Sequence, residues 1–137
     1  MIKVSVMNRQ QAELFQFSPD AYVISITRAE NTPAKIAGTK NVLYLFFDDN
    51  ETDFNANHAK QILAFITRIG TNGRLYVHCD AGISRSAGVV DFLNSYLGFI
   101  WARLDGSVYY GNEWRQQYKP NVHVKSTLRR VYSGLEE

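Results

Sequence analysis

Three short runs of apolar and β-branched residues set the architecture of this chain: AYVISIT (21–27), NVLYLFF (41–47) and RLYVHC (74–79). Each is of strand length. None shows the alternation of a half-exposed sheet, so each reads as a strand buried on both faces. Between the second and third, residues 57–69 place Ala59, Ile62, Leu63, Ile66 and Ile69 at steps of three and four. That spacing predicts an amphipathic helix, with Asn55 or Asn57 as N-cap. After the third run, residues 86–99 are apolar all round apart from a few polar positions, as in a largely buried helix.

The flanking segments are read more coarsely. MIKVSV (1–6) is a short edge strand, and Gln10 to Phe17 a helical turn. Residues 28–40, with Pro33 and Gly38, form a loop, and DDNETDFNA (48–56) an acidic loop. From Trp101 onward the chain reads as helical, with a break at KPN (119–121). The expected fold is α/β: a three-layer-type sandwich with a central, mainly parallel sheet flanked by helices. One domain over 1–137 accommodates all of it.

Bulk properties narrow the partners. A net charge of +2 gives no clustered basic face, so nucleic acid is not expected. No apolar run approaches the ~20 residues of a membrane span, so no membrane partner is expected. The N-terminus lacks an apolar signal core. A single cysteine excludes an internal disulfide and points to the cytoplasm. His58, His78 and His123 have no metal-ligand spacing, so neither metal nor cofactor is expected.

The single cysteine stands in HCDAGISRS (78–86), at the carboxyl end of a central strand, where α/β proteins bind ligands. A glycine-containing loop and a helix N-terminus follow. Backbone amides there favour an anion. Gly82 lets the loop turn so that the amides of Asp80, Ala81, Gly82, Ile83 and Ser84 converge, and Arg85 adds a planar fork matched to phosphate oxygens. The same positive field favours the thiolate of Cys79, the nucleophilic form of the side chain. A nucleophile at the floor of a phosphate cradle implies attack on phosphorus and a phosphocysteine intermediate.

With those residues in place, the chain resembles the cysteine-dependent protein tyrosine and dual-specificity phosphatases, whose H-C-x5-R-[S/T] signature is met by His78, Cys79, Arg85 and Ser86. FDD (47–49) also follows a strand and ends 30 residues before Cys79, where the smaller members carry a general-acid aspartate. RQQYKPN (115–121) is similar to their C-terminal R-x4-P-N segment. The chain lacks the Trp-Pro-Asp loop of the large tyrosine-specific enzymes, so the likeness is to a minimal dual-specificity phosphatase.

The resemblance implies roles. Cys79 is the nucleophile, Arg85 binds the equatorial phosphate oxygens, Ser86 bonds the thiolate, and His78 orients the loop through backbone. One of Asp48, Asp49 or Asp53 is the general acid, with Asp49 favoured. The expected partner is a phosphorylated protein or peptide, chiefly on tyrosine, with phosphate or sulfate able to occupy the site. Whether phosphoserine and phosphothreonine also fit is left open. Two other readings compete: a non-catalytic phosphate-binding module, and a rhodanese-like sulfurtransferase.

Overall fold

The computed structural model describes residues 1–135. Its centre is a five-stranded sheet, in spatial order β3-β2-β4-β1-β5, whose named strand pairings are all parallel. The strands are β1 (Lys3–Met7), β2 (Tyr22–Thr27), β3 (Val42–Phe46), β4 (Arg74–His78) and β5 (Ile100–Trp101). The helices are α1 (Arg9–Leu14), α2 (Ala56–Ile66), α3 (Arg85–Leu97) and α4 (Val122–Tyr132). Helices α2, α3 and α4 pack together, and α2 and α3 lie on the sheet. Their shared core includes Val4, Ile24, Leu75, Val77, Ile62, Phe92 and Leu128. On the other face a smaller cluster of Met7, Ala12, Phe17, Val23 and Tyr76 lies under α1. The α/β expectation of a mainly parallel sheet therefore describes the molecule.

Local chemistry explains the helix boundaries. Asn55 caps α2: its side chain accepts from the amides of Asn57 and His58, and the His58 ring accepts from the Asn55 amide. The buried face of α2 is Ala59, Ile62, Phe65 and Ile66, and the helix stops at Ile66, short of the expected 69. Helix α3 starts at Arg85 and ends at Gly98, which takes the left-handed conformation (φ 72°) favoured at a helix end. Its residues Arg85 to Leu93 are all buried.

Three expectations need correction. NVLYLFF is not buried on both faces: among the described residues β3 pairs only with β2 and forms an edge of the sheet, which leaves Tyr44 and Phe46 exposed. MIKVSV does not form an edge. Strand β1 sits between β4 and β5. Its backbone is paired on both sides, and the segment after β5 satisfies its polar side chains. Lys3 Nζ donates to the Gly106 carbonyl, Ser5 Oγ to the Ala102 carbonyl, and Arg74 to Ser5 Oγ. The region from Trp101 to Lys119 is also mostly non-helical. After β5 it loops back through an antiparallel bridge between Ala102 and Val108, with only a 3-10 turn at Glu113–Gln116. The aromatic residues here are spaced for stacking rather than for a helix face. Trp101 lies 4.4 Å from Trp114 at an interplanar angle of 9°, and 5.2 Å from Tyr118. The break at 119–121 is present, with Asn121 as the N-cap of α4.

Candidate active site

Cys79 is the first residue past β4, buried to 2% exposure. Its Sγ lies 3.0 Å from Ser86 Oγ in the first turn of α3, so thiol and hydroxyl share a hydrogen bond. Between them the loop is braced from outside. The Arg9 amide donates to the Asp80 carbonyl (3.1 Å), the Lys119 amide to that of Ile83 (3.0 Å), and the Asn121 amide to that of Ser84 (3.0 Å). The described peptides are all trans, and in a trans peptide the C=O and N–H point opposite ways. The amides of Ala81, Ser84 and Arg85 are therefore turned away from those partners. Gly82 makes the turn at φ 69° and packs tightly. A Cβ there would stand 2.7 Å from Asn8 N and from Met7 C.

Arg85 is 5% exposed and joins two loops. Its Nη1 donates to the Phe47 carbonyl at 2.9 Å and its Nη2 to Asp80 Oδ2 at 2.9 Å. Phe47 directly precedes the acidic segment, so Arg85 also fixes the start of that segment.

The three candidate carboxylates separate clearly. Asp48 accepts from the Ala29 amide, and Asp53 from the Asp48 amide; both serve the backbone of their own surroundings. Asp49 faces the cradle. Its Oδ1 accepts from Ser84 Oγ at 2.9 Å and from Asn121 Nδ2 at 2.8 Å.

Beneath the loop, His78 is wholly buried. Nδ1 lies 3.3 Å from the Cys79 carbonyl and Nε2 lies 2.6 Å from Ser25 Oγ. Burial pushes its pKa below the usual imidazole value, a shift opposed in part by the bond to the Cys79 backbone. In the neutral ring Nδ1–H donates to the carbonyl and Nε2 accepts the Ser25 hydroxyl, since a carbonyl can only accept. His58 and His123 lie outside this arrangement. The His58 ring accepts from the amide of Asn55, the cap of α2, and His123 Nε2 bonds the Phe54 carbonyl.

The structure thus brings His78, Cys79, Asp80, Ala81, Gly82, Ile83, Ser84, Arg85, Ser86 and Asp49 into one place. Sequence reading missed Ser25 and the Phe47 carbonyl, and it quoted Asn121 only as the end of the C-terminal segment, without its contact to the loop. Asn121 stood in the KPN segment, yet its partner Asp49 is 72 residues away, a pairing only the folded chain reveals. Ser25 faces His78 across the β2–β4 pairing, where the two are register partners. Among the described residues, no group of three or more His, Cys, Asp or Glu is placed to hold a metal ion. No helix among them is long and apolar enough to cross a membrane.

Compared with solved structures, the chain is similar to human tyrosine phosphatase-like serine/threonine/tyrosine-interacting protein. The TM-score is 0.55 at 24% identity, over 85% of this chain and 78% of that one. At that identity the likeness shows the fold, which is dual-specificity phosphatase-like. No protein-family model and no curated protein matches the chain.

Proposed function

We propose that this chain is a phosphatase that hydrolyses phosphorylated protein side chains, phosphotyrosine first among them, through a phosphocysteine intermediate. One observation carries the reading. A buried cysteine bonded to Ser86 shares a single loop with Arg85, and Asp49 is hydrogen-bonded to that same loop. A binding module needs the arginine and the amides but neither the thiol nor the acid.

In the proposed reaction the loop amides and Arg85 hold the phosphoryl oxygens. Cys79 Sγ attacks phosphorus, and the bond to the leaving oxygen breaks. Asp49, protonated, gives its proton to that oxygen. The resulting carboxylate then takes a proton from water, which attacks the phosphocysteine and releases inorganic phosphate. Ser86 stabilises the departing thiolate by its hydrogen bond. His78 touches no reacting atom and acts as a positioning residue, holding the Cys79 backbone. Phosphotyrosine is favoured because its long side chain reaches a buried nucleophile and its phenolate leaves more readily than an alkoxide. The proposed place of action is the cytoplasm.

The test is steady-state release of phosphate from a phosphotyrosine peptide by the wild-type protein and by Cys79→Ser. Turnover by the wild type, lost in the variant while inorganic phosphate still binds, supports the reading. Equal turnover by both proteins ends it. Phosphate binding without any turnover would favour a binding module, and thiocyanate release from cyanide and thiosulfate a sulfurtransferase.

A further inference from the structure

Asp80 is the one charged side chain between Cys79 and Arg85 in the loop. Its Oδ2 accepts from Arg85 Nη2 at 2.9 Å and lies 3.3 Å from Arg28 Nε. The two cations differ in setting: the Arg85 side chain is 6% exposed, the Arg28 side chain 65%. A carboxylate thus occupies one of the guanidinium donors that the proposed chemistry assigns to a phosphoryl oxygen. Arg28, just past β2, also lines an open cavity of about 440 Å³ beside Asp48, so its side chain has room to follow a moving partner.

We propose that Asp80 is a resident anion which an incoming phosphoryl group displaces from Arg85, that Arg28 receives it, and that this pair selects a single phosphoryl dianion over more highly charged phosphates. The inference rests on the phosphatase reading above and names the specificity device of that same site. A phosphoryl dianion brings two charges and three acceptor oxygens to the fork, so it outcompetes one carboxylate. Asp80 does not leave the rim once displaced. A second phosphate on the ligand would place further negative charge beside it, and like charges at that range repel. Arg28 holds the displaced carboxylate and limits its repulsion of the first phosphate.

The experiment is calorimetric titration of inorganic phosphate and of pyrophosphate into wild type, Asp80→Asn, Arg28→Gln and the double variant, with aryl phosphate kinetics on the same proteins. Asp80→Asn should bind phosphate about 10-fold more tightly or better (about 1.4 kcal/mol), and should gain more for pyrophosphate. KM should fall in parallel, with kcat moving less. Arg28→Gln should weaken phosphate binding severalfold, and that loss should vanish in the double variant. Arg28 is exposed, so this arm survives even if Asp80→Asn folds poorly. Equal or weaker phosphate binding in Asp80→Asn overturns the proposal, as does an Arg28→Gln effect that persists without Asp80. Binding changes of the expected pattern with no turnover in any protein would leave the displacement standing and sink the phosphatase reading. Turnover with a phosphate affinity indifferent to Asp80→Asn would do the reverse.

Discussion

Two glycines with nearly the same φ offer a comparative measurement of how tightly the loop is braced. Gly82 has φ 69° and Gly98 has φ 72°, both in the left-handed region. An L-residue there costs roughly 1–2 kcal/mol, so Ala at either position carries that strain. The surroundings differ. At Gly98 an added Cβ meets nothing within 4 Å, whereas at Gly82 it stands 2.7 Å from Asn8 N and from Met7 C, both rigid backbone atoms. Forcing a methyl into such a contact adds roughly 1–3 kcal/mol of overpacking. Gly98→Ala should therefore lose about 1–2 kcal/mol and Gly82→Ala about 2–5 kcal/mol. Urea unfolding reads both as shifts of the midpoint at unchanged slope. Aryl phosphate turnover should persist in Gly98→Ala. In Gly82→Ala it should collapse, because any relief of the clash moves the loop away from β1 and misaligns the amides. A Gly82→Ala protein as stable as Gly98→Ala, and as active as wild type, would refute the claim that the β1–α1 junction sets the loop.

Other perturbations test single residues. Asp49→Asn should slow phosphotyrosine cleavage by roughly 10²–10⁴-fold and slow an activated nitrophenyl phosphate less, because the better leaving group needs less of a proton; Asp48→Asn and Asp53→Asn should show no such leaving-group dependence, and a dependence at either moves the acid role there. Arg85→Lys keeps the charge but loses the fork that spans Phe47 and Asp80, so kcat/KM for a phosphotyrosine peptide should fall by at least about 10² if two charge-assisted bonds of about 1.5–3 kcal/mol each are disturbed; unchanged kinetics would remove Arg85 from the phosphate site. His78 is depressed in the folded state by burial, so the unfolded chain takes up its proton first as pH falls. Its contribution to stability is complete above about pH 6.5 and declines below it, a trend to which His58, also lowered by burial, adds with the same sign. Proton NMR should show the His78 ring titrating below the ordinary imidazole range, and a ring titrating above it would contradict the buried neutral assignment.

Much of this molecule is written locally and is therefore legible in the chain. The strands β2, β3 and β4 announce themselves by their runs of apolar or β-branched residues, although β3 proves to be an edge strand with Tyr44 and Phe46 exposed, and α2 announces itself because Ala59, Ile62 and Ile66 share one face. The cradle is legible for the same reason: Cys79, Gly82, Arg85 and Ser86 are near neighbours in sequence, so their geometry depends on one strand-loop-helix transition. What escaped notice depends on distant pairing. Strand β1 resembles an edge until residues 102–106 cover Lys3 and Ser5. Segment 101–118 resembles a helix until Trp101, Trp114 and Tyr118 stack. The acidic stretch offered several carboxylates, with Asp49 favoured by resemblance alone, and in the structure the bonds from Ser84 and Asn121 single out Asp49.

Asn121 has a consequence in time as well as in space. Its amide bonds the Ser84 carbonyl, its Nδ2 bonds Asp49 Oδ1 and the Asn50 carbonyl, and its Oδ1 accepts from Val124 as α4 begins. A ribosome delivers the chain from the N-terminus at about 5–20 residues per second. Cys79, Arg85 and Asp49 have therefore all been synthesised before the residue that clasps the acid loop to the cradle exists. A nascent chain at that stage holds Cys79 and Arg85 while Asp49 lacks one of its two side-chain partners, and the full set of bonds comes into being only once Asn121 is in place. Arrested chains ending before Asn121 would be silent toward phosphotyrosine while already holding every residue assigned to the chemistry.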